Sequence, residues 1–515
     1  MSEAAMETAH ASASDAFADL PTYEIVARWA ALIPGALALS DSGTSLNYSQ
    51  LGACIDATAG WLRTLGVQAG DRVMLVAENS VALATLILGA HRAGVTVVLE
   101  NARRTPAETD TIHAHCAARA VLFVLDQSPD AAAHAKRLGA SEAIDAPAGR
   151  IAVRLEATAP GEAPDEVSRE KAAHASPAAI IYTTGTTGKP KGVMLSSRAL
   201  GFIGQQMRAL RHVTPRDTVY GVLPITHVMG LASVLFGTLA SGAHLHLVSR
   251  FSATECVACI DRLHVSMLQG APAMFARLID HCQANGITRI GGVRFIGSGG
   301  APIDPTVKQD AQQLFGTPLH NGYGLTEAAS TCWTRFEDDN SDDTVGRPLP
   351  GVELRIAAPA GSEIGELWVR GPHVMNGYFR DSLRTSEVLT DDDWFNTQDL
   401  ARQSADGRIY IVGRTRDIII RSGFNVYPLE IELALATHPD VLHCAVLGRP
   451  VKGNEEIVAF VELTQNACVK PETLLAWLSE RLSPYKRPAQ IVVMATLPVA
   501  ANGKVLKSAL VVPHA

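Results

Sequence analysis

Residues 182–192 read Tyr-Thr-Thr-Gly-Thr-Thr-Gly-Lys-Pro-Lys-Gly, so four threonines, three glycines and two lysines fall between two apolar runs. Residues 178–182 read as one strand and 193–195 as the start of another. Glycine lets backbone N–H groups approach a ligand closely, while hydroxyl and ammonium groups add donors and charge. A loop of this makeup suits a polyphosphate. It is not the P-loop of kinases and GTPases, which reads G-x-x-x-x-G-K-[ST] and opens a helix. A plain polar turn has no need of so many donors together.

Four further segments carry chemical groups. Residues 298–302, Ser-Gly-Gly-Ala-Pro, form a small-residue bend after an expected strand at 293–296, where a flat ligand could lie against backbone. Residues 322–327 offer the aromatic face of Tyr323, the hydroxyl of Thr326 and the carboxylate of Glu327. A nucleotide–metal complex asks for those three groups: a base to stack, a phosphate oxygen to bind and a divalent cation to hold. Asp399 has two acceptor oxygens for a pair of vicinal hydroxyls. Asn502-Gly503-Lys504 places an ammonium on a turn near the C-terminus.

The elements that must position these groups follow from the hydrophobic pattern. Leu51, Ile55, Thr58, Leu62 and Leu65 fall at helical spacing, with Ser49 as the expected N-cap. Residues 71–77, 80–93 and 95–99 read as strand, helix and strand, and 120–125 as a further strand. That βαβ alternation predicts a parallel sheet. Residues 156–177 are polar and rich in Pro and Ala, and read as a surface connection. Strand–helix alternation continues through 200–315. Glycine and proline turns punctuate 344–378 and predict a β-rich subdomain. A domain boundary is expected near Gly413-Arg414-Thr415-Arg416-Asp417, followed by a shorter α+β stretch.

The chain has 515 residues, room for at least two domains, with 47% hydrophobic and 19% charged residues. A formal net charge of −8 without a long basic run argues against nucleic-acid binding. Eight cysteines scattered over the chain predict free thiols and a reducing, cytoplasmic setting. Cys256-x-x-Cys259 has no second pair behind it and lies in an expected helix, where thiols are small core residues. His113, His115 and Cys116 likewise have no partner cluster nearby in sequence. Residues 1–20 lack a basic and apolar leader and read as a disordered tail. The apolar window 81–99 is broken by His91, Arg92 and Gly94, so no membrane span is expected.

Together these segments resemble the adenylate-forming superfamily: acyl- and aryl-CoA synthetases, peptide-synthetase adenylation domains and luciferases. The resemblance runs from about residue 25 to about residue 510. Its motifs occur in the family's order: YTTGTTGKPKG (182–192), LPITHVMG (223–230), GSGGAPI (297–303), NGYGLTE (321–327), Asp399 with GRTRD (413–417), and NGKVLK (502–507). The resemblance implies an α/β fold. A large N-terminal domain of parallel-rich αβ layers (21–414), carrying the β-rich subdomain, would be followed by a small mobile C-terminal α+β domain (415–515).

It further implies an enzyme that makes an acyl-adenylate from a small-molecule carboxylate and ATP with Mg2+, then passes the acyl group to a thiol, with CoA as the acceptor favoured here. Thr183, Thr184, Gly185, Thr186, Thr187, Gly188 and Lys191 would wrap the β- and γ-phosphates. Tyr323 would stack on adenine beside Gly300 and Ala301, Thr326 would contact the α-phosphate, and Glu327 with Thr184 would hold Mg2+. Asp399 would bind the ribose hydroxyls with Arg414 nearby. Lys504 would be the catalytic lysine, and His227 would stand near the substrate carboxylate. Gly423, between Ser422 and Phe424, would leave room for pantetheine.

Two positions depart from the family's pattern. Arg416 stands at the hinge position, where Asp or Lys is common, and Gln398 replaces the glycine usual before the ribose-binding aspartate. A turn requiring positive φ would make Gln398 unfavourable. Residues 226–233 contain no acid where amino-acid-activating relatives place one to meet the substrate ammonium, which argues against an α-amino acid substrate, and Val228, Met229, Gly230, Leu231 and Ala232 read as an apolar pocket. A fatty or aromatic monocarboxylate is expected. Loading of a separate carrier protein and a non-catalytic nucleotide-binding role stand as alternatives, and the sequence leaves a homodimer open.

Overall fold

A computed structural model describes residues 20–143, 146–156, 177–184, 190–338, 340, 342–421, 424–451, 454–464, 467–499 and 505–513. The tail at 1–19 and most of the connection at 156–177 lie outside the described residues, as do Gly185, Thr186, Thr187, Gly188, Gly423 and Lys504, and the side chain of Thr184.

The βαβ reading of 71–99 holds. Strands Arg72–Ala77 and Thr96–Asn101 are parallel and flank the helix Val81–Arg92. Both strands are apolar over most of their length because layers cover both faces. They sit in a seven-stranded sheet with Ala120–Val124 and Pro177–Thr184 as parallel neighbours. The hairpin Pro177–Thr184 and Pro190–Ser196 closes one edge, and Thr183 pairs with Lys191 across it. A nine-stranded sheet has a parallel centre, Leu37–Ser40, His244–Leu247, Thr218–Gly221, Met267–Gly270, Phe295–Ser298 and Leu319–Leu325. One continuous hydrophobic core joins residues from both sheets with the helices Thr22–Leu32, Tyr48–Thr64 and Val81–Arg92. Burial over nearly its whole circumference explains why Val81–Arg92 is apolar all round.

Two boundaries differ from the sequence reading. The helix Tyr48–Thr64 starts one residue before Ser49 and is capped by Asn47, which accepts from Gln50 N at 2.8 Å while Gln50 returns the bond to Asn47 N. This reciprocal box satisfies two orphan donors, which Ser49 inside the first turn does not do. The strand expected at 293–296 runs Phe295–Ser298, paired in parallel with Met267–Gly270 and Leu319–Leu325.

The β-rich segment forms a four-stranded antiparallel sheet, Glu353–Ala357, Gly365–Arg370, Phe395–Gln403 and Ile409–Arg414. The C-terminal part is smaller. It comprises the ribbon Ile419–Arg421 and Phe424–Val426, the sheet Val441–Val451, Asn454–Leu463 and Gln490–Met494, and the helices Pro428–Ala436 and Pro471–Ser479 around a core of their own. The architecture is thus mixed α/β, with a large N-terminal and a small C-terminal domain. All eight cysteines are free, with Cys256 and Cys259 buried on the helix Ala253–Leu263. Among the described residues no helix is long and apolar enough to cross a membrane.

Candidate active site

The hairpin edge, the C-terminal ends of the central strands and the β-rich sheet enclose one cavity of about 820 Å³. Thr183, Lys191, His227, Gly300, Ala301, Tyr323, Thr326, Glu327 and Arg414, drawn from across more than two hundred residues of chain, all line it.

Lys191 is delivered by the hairpin, which is bonded to a distant segment. Phe379 N donates to Gly192 O at 2.7 Å, Met194 N to Gly377 O at 3.0 Å and Asn376 N to Met194 O at 2.8 Å. The same segment holds Glu327: Met375 N donates to its carbonyl at 2.8 Å, and the Tyr378 hydroxyl donates to its Oε1 at 3.0 Å. Lys191 Nζ lies 5.0 Å from the centroid of the Tyr378 ring. Burial pushes the Lys191 ammonium below its usual range, against the pull of Glu327. At the loop's other shoulder, Arg104 Nη2 donates to Tyr182 O at 2.8 Å, and His115 Nδ1 lies 2.7 Å from the Tyr182 hydroxyl.

Thr326 and Glu327 sit on a single helical turn, Thr326–Ala328, directly after the strand Leu319–Leu325 that carries Tyr323. Asp399 lies within the strand Phe395–Gln403 and is 5% exposed, so its carboxylate is part of the framework and not a free loop group. It pairs in register with Arg414, whose Nε donates to Oδ1 at 3.0 Å, and the Tyr323 hydroxyl donates to Oδ2 at 2.5 Å. Burial, then Asp399, pushes the Tyr323 hydroxyl well above its usual range. Gln398 has φ +59, so the position that prefers glycine carries a strained side chain. Gln398 N donates to Asn396 Oδ1 at 2.8 Å and Asp399 N to Thr397 Oγ1 at 3.1 Å, which helps hold the turn. Gly300 has φ +82 beside the cavity, a conformation that suits glycine there.

His227 is positioned by a buried amide. Asn79 Nδ2 donates to Gly221 O at 3.0 Å and Leu223 O at 2.9 Å, and Asn79 Oδ1 accepts from Ile225 N at 2.8 Å. The imidazole is held down to about 4, first by burial and then by Arg104 and Arg103, and is neutral at pH 7. A π-helix, Met229–Phe236, follows. Its wide turn puts Met229, Gly230 and Ser233 on the cavity, while Leu231 and Ala232 are fully buried in the core. The expected apolar pocket therefore keeps Val228, Met229 and Gly230 and loses Leu231 and Ala232. A Cβ on Gly230 would lie 2.1 Å from Pro224 O, so only glycine lets the helix approach this strand end.

Tyr378, Trp333, Ser233, Arg103, Arg250 and Arg277 also line the cavity and were not singled out from sequence. They lie outside the motif segments; only the polar interruption of an apolar run at Ser233 offered a signal. Arg416 and Val499 line it as well, so the segment leading to Lys504 reaches the site. Among the described residues no group of three or more His, Cys, Asp or Glu side chains could hold a metal ion. A cation there would take one carboxylate, Glu327, and find its other oxygens on phosphate and water, as Mg2+ commonly does.

The family model described as AMP-binding enzyme matches residues 26–379, and that of the AMP-binding enzyme C-terminal domain matches 430–504. The feruloyl-CoA synthase of an Amycolatopsis species is 30% identical over 93% of this chain and 96% of its own. The sulfoacetate–CoA ligase of Cupriavidus necator is 32% identical over 90% and 92%. The ATP-bound crystal structure of MatB from Rhodopseudomonas palustris superposes with a TM-score of 0.80 at 29% identity, covering 94% of this chain and 97% of that one. With the motifs in order, one cavity joining them and both family domains matched, the chain belongs to the AMP-binding, adenylate-forming enzymes.

Proposed function

We propose that this protein is an AMP-forming acid–CoA ligase. The observation that carries the reading is the convergence of Lys191, Tyr323, Thr326, Glu327 and Arg414 on one cavity whose other wall is His227 and the π-helix. In the first step a carboxylate oxygen of the acid attacks the α-phosphorus of ATP, and the bond to pyrophosphate breaks. In the second, a thiol attacks the acyl carbon and AMP leaves.

Lys191 and the loop 183–188 hold the β- and γ-phosphates, and Thr326 donates to the α-phosphate. Tyr323 presents its face to adenine, tethered by its bond to Asp399. Asp399 and Arg414 meet the ribose, each carboxylate oxygen keeping a lone pair beyond the bonds it already accepts. Mg2+, held by Glu327 and phosphate oxygens with Thr184 nearby, would neutralise charge on the leaving pyrophosphate. Neutral His227 offers a donor to the acid's carboxylate without forming a tight ion pair that would blunt its nucleophilicity. Lys504 places a positive charge where negative charge builds on the transferring oxygens. The moving unit is 415–515, hinged near Arg416, with Gly423 on the thiol's path, so that one motion exchanges the two sites. Free thiols throughout suit a cytoplasmic setting.

Purified protein incubated with MgATP, a panel of fatty and aromatic acids and either CoA or a phosphopantetheinylated carrier protein should release pyrophosphate and AMP and form the CoA thioester. Thioester on the carrier alone would transfer the reading to carrier loading, and absence of pyrophosphate release with every acid would overturn it.

A further inference from the structure

Lys191 and Glu327 carry opposite charges on the wall of one cavity, yet among the described residues they make no ion pair with each other. Each instead touches Tyr378, a third residue on that wall. The Tyr378 hydroxyl donates to Glu327 Oε1 at 3.0 Å, and Lys191 Nζ lies 5.0 Å from the centroid of its ring. Burial, then Glu327, pushes the Tyr378 hydroxyl well above its usual range, so it is a donor at any working pH.

The backbone fixes this ring, which is 4% exposed. Tyr378 N donates to Thr385 Oγ1 at 2.9 Å, and Thr385 Oγ1 donates to Asp381 O at 2.8 Å. Tyr378 pairs with Val193 in an isolated antiparallel bridge, and its neighbours Gly377 and Phe379 are bonded to Met194 and Gly192 of the hairpin. The tyrosine is thus tied to the strand Pro190–Ser196 that carries Lys191. Glu327 comes from elsewhere, on the turn after the strand Leu319–Leu325 of the nine-stranded sheet.

Lys191 and Glu327 are both half-buried. An ammonium and a carboxylate free to swing there would pair, because their attraction strengthens as water is excluded. A pair formed in the empty site would have to break before phosphate met the lysine or a cation met the carboxylate, which weakens binding of both. Tyr378 gives each a milder partner: a neutral donor for the carboxylate and an aromatic face for the ammonium. Among the described residues Glu327 Oε2 accepts no hydrogen bond.

We propose that Tyr378 is a positioning residue that holds Lys191 and Glu327 apart, keeping the ammonium open to phosphate and Oε2 open to a divalent cation. The proposal rests on the nucleotide roles given to those two residues and adds the group that keeps both ready to bind.

ATP binding should be measured by titration calorimetry with and without Mg2+, with a melting transition recorded for every variant. Tyr378→Phe keeps the ring but frees the carboxylate to turn. Its metal-free ATP affinity should stay within about twofold of native, while the gain on adding Mg2+ shrinks about tenfold, the scale of a hydrogen bond to a charged group. Tyr378→Leu removes the ring as well and lets the two charges meet, so metal-free affinity should also fall about tenfold. Glu327→Gln added to Tyr378→Leu takes away the pairing partner and should restore metal-free affinity, which a distorted wall would not allow. Equal losses with and without Mg2+ in Tyr378→Phe, or no recovery in the double variant, would overturn the proposal. So would native binding in both single variants. If Tyr378→Leu does not fold, the split in Tyr378→Phe decides alone. Failure of the native protein to bind ATP would remove the nucleotide roles as well. Binding as expected, without pyrophosphate release from any acid, would leave the proposal standing and remove the ligase reading.

Discussion

Asp399 is the residue on which three parts of the site meet: the strand it sits in, Arg414 on the paired strand and Tyr323 from the other sheet. Asp399→Asn keeps the shape but removes the charge facing Arg414 and offers Tyr323 a weaker acceptor. KM for ATP should rise by about tenfold, the size of a charge-assisted bond, with a smaller change in KM for the acid. Steady-state kinetics in both substrates checks this, and equal shifts in the two KM values would reject the assignment of Asp399 to the nucleotide. Lys504→Ala should abolish pyrophosphate release yet retain thioester formation from preformed acyl-adenylate. Rapid-quench measurement of each half-reaction separates the two, and parallel loss of both would refute the exchange of faces at one site.

The acyl wall depends on an element. The π-helix Met229–Phe236 turns Met229, Gly230 and Ser233 toward the cavity, and the preceding residues 221–225 are tied by three hydrogen bonds to Asn79, which lies between the strand Arg72–Ala77 and the helix Val81–Arg92. Asn79 is 4% exposed, so Asn79→Ala takes away the partner of the Leu223 carbonyl and of the Ile225 N–H, while Gly221 O keeps its bond from Val248 N. The variant should lose roughly 2–4 kcal/mol of stability on that ground. KM for the acid should rise more than KM for ATP, because His227 and the π-helix follow directly. Urea unfolding with kinetics in both substrates tests it; an unchanged acid KM would mean that the helix holds its position without the amide.

For the whole molecule, five histidines in different places, His244, His320 and His373 buried and His91 and His227 half-buried, are each held at about 4, with desolvation as the first cause. The ordinary value is near 6.5, so between pH 6.5 and 4 the unfolded chain binds protons that the folded chain does not. Stability must therefore fall as the pH drops through that window. Glu100, raised to about 7 by burial, works in the opposite sense, its neutral folded form favouring lower pH. Five groups against one should leave a clear decline in melting temperature from pH 7 to pH 5, measurable by calorimetry. A flat or rising profile would show that these imidazoles take up protons in the folded state.

Much of the site was legible because its chemistry is local. The threonines, glycines and lysine of 182–192, the Tyr-Gly-Leu-Thr-Glu run and the strand-helix-strand at 71–99 announce themselves by residue type and spacing, which need no knowledge of what lies opposite. The positive φ at Gln398 was readable for the same reason, since a turn's demand falls on one residue. Tertiary contact decided what spacing does not encode: that Tyr378 rather than a motif residue bonds Glu327, and that Tyr323 is tied to Asp399. Leu231 and Ala232 face the core because a π-turn changes the period on which a sequence reading depends. The burial of Arg211, 4% exposed, is visible only in the structure, for an arginine in sequence is assumed solvated. Residue types thus point to the reaction the chain is equipped for, while packing between sheets settled which groups share a cavity.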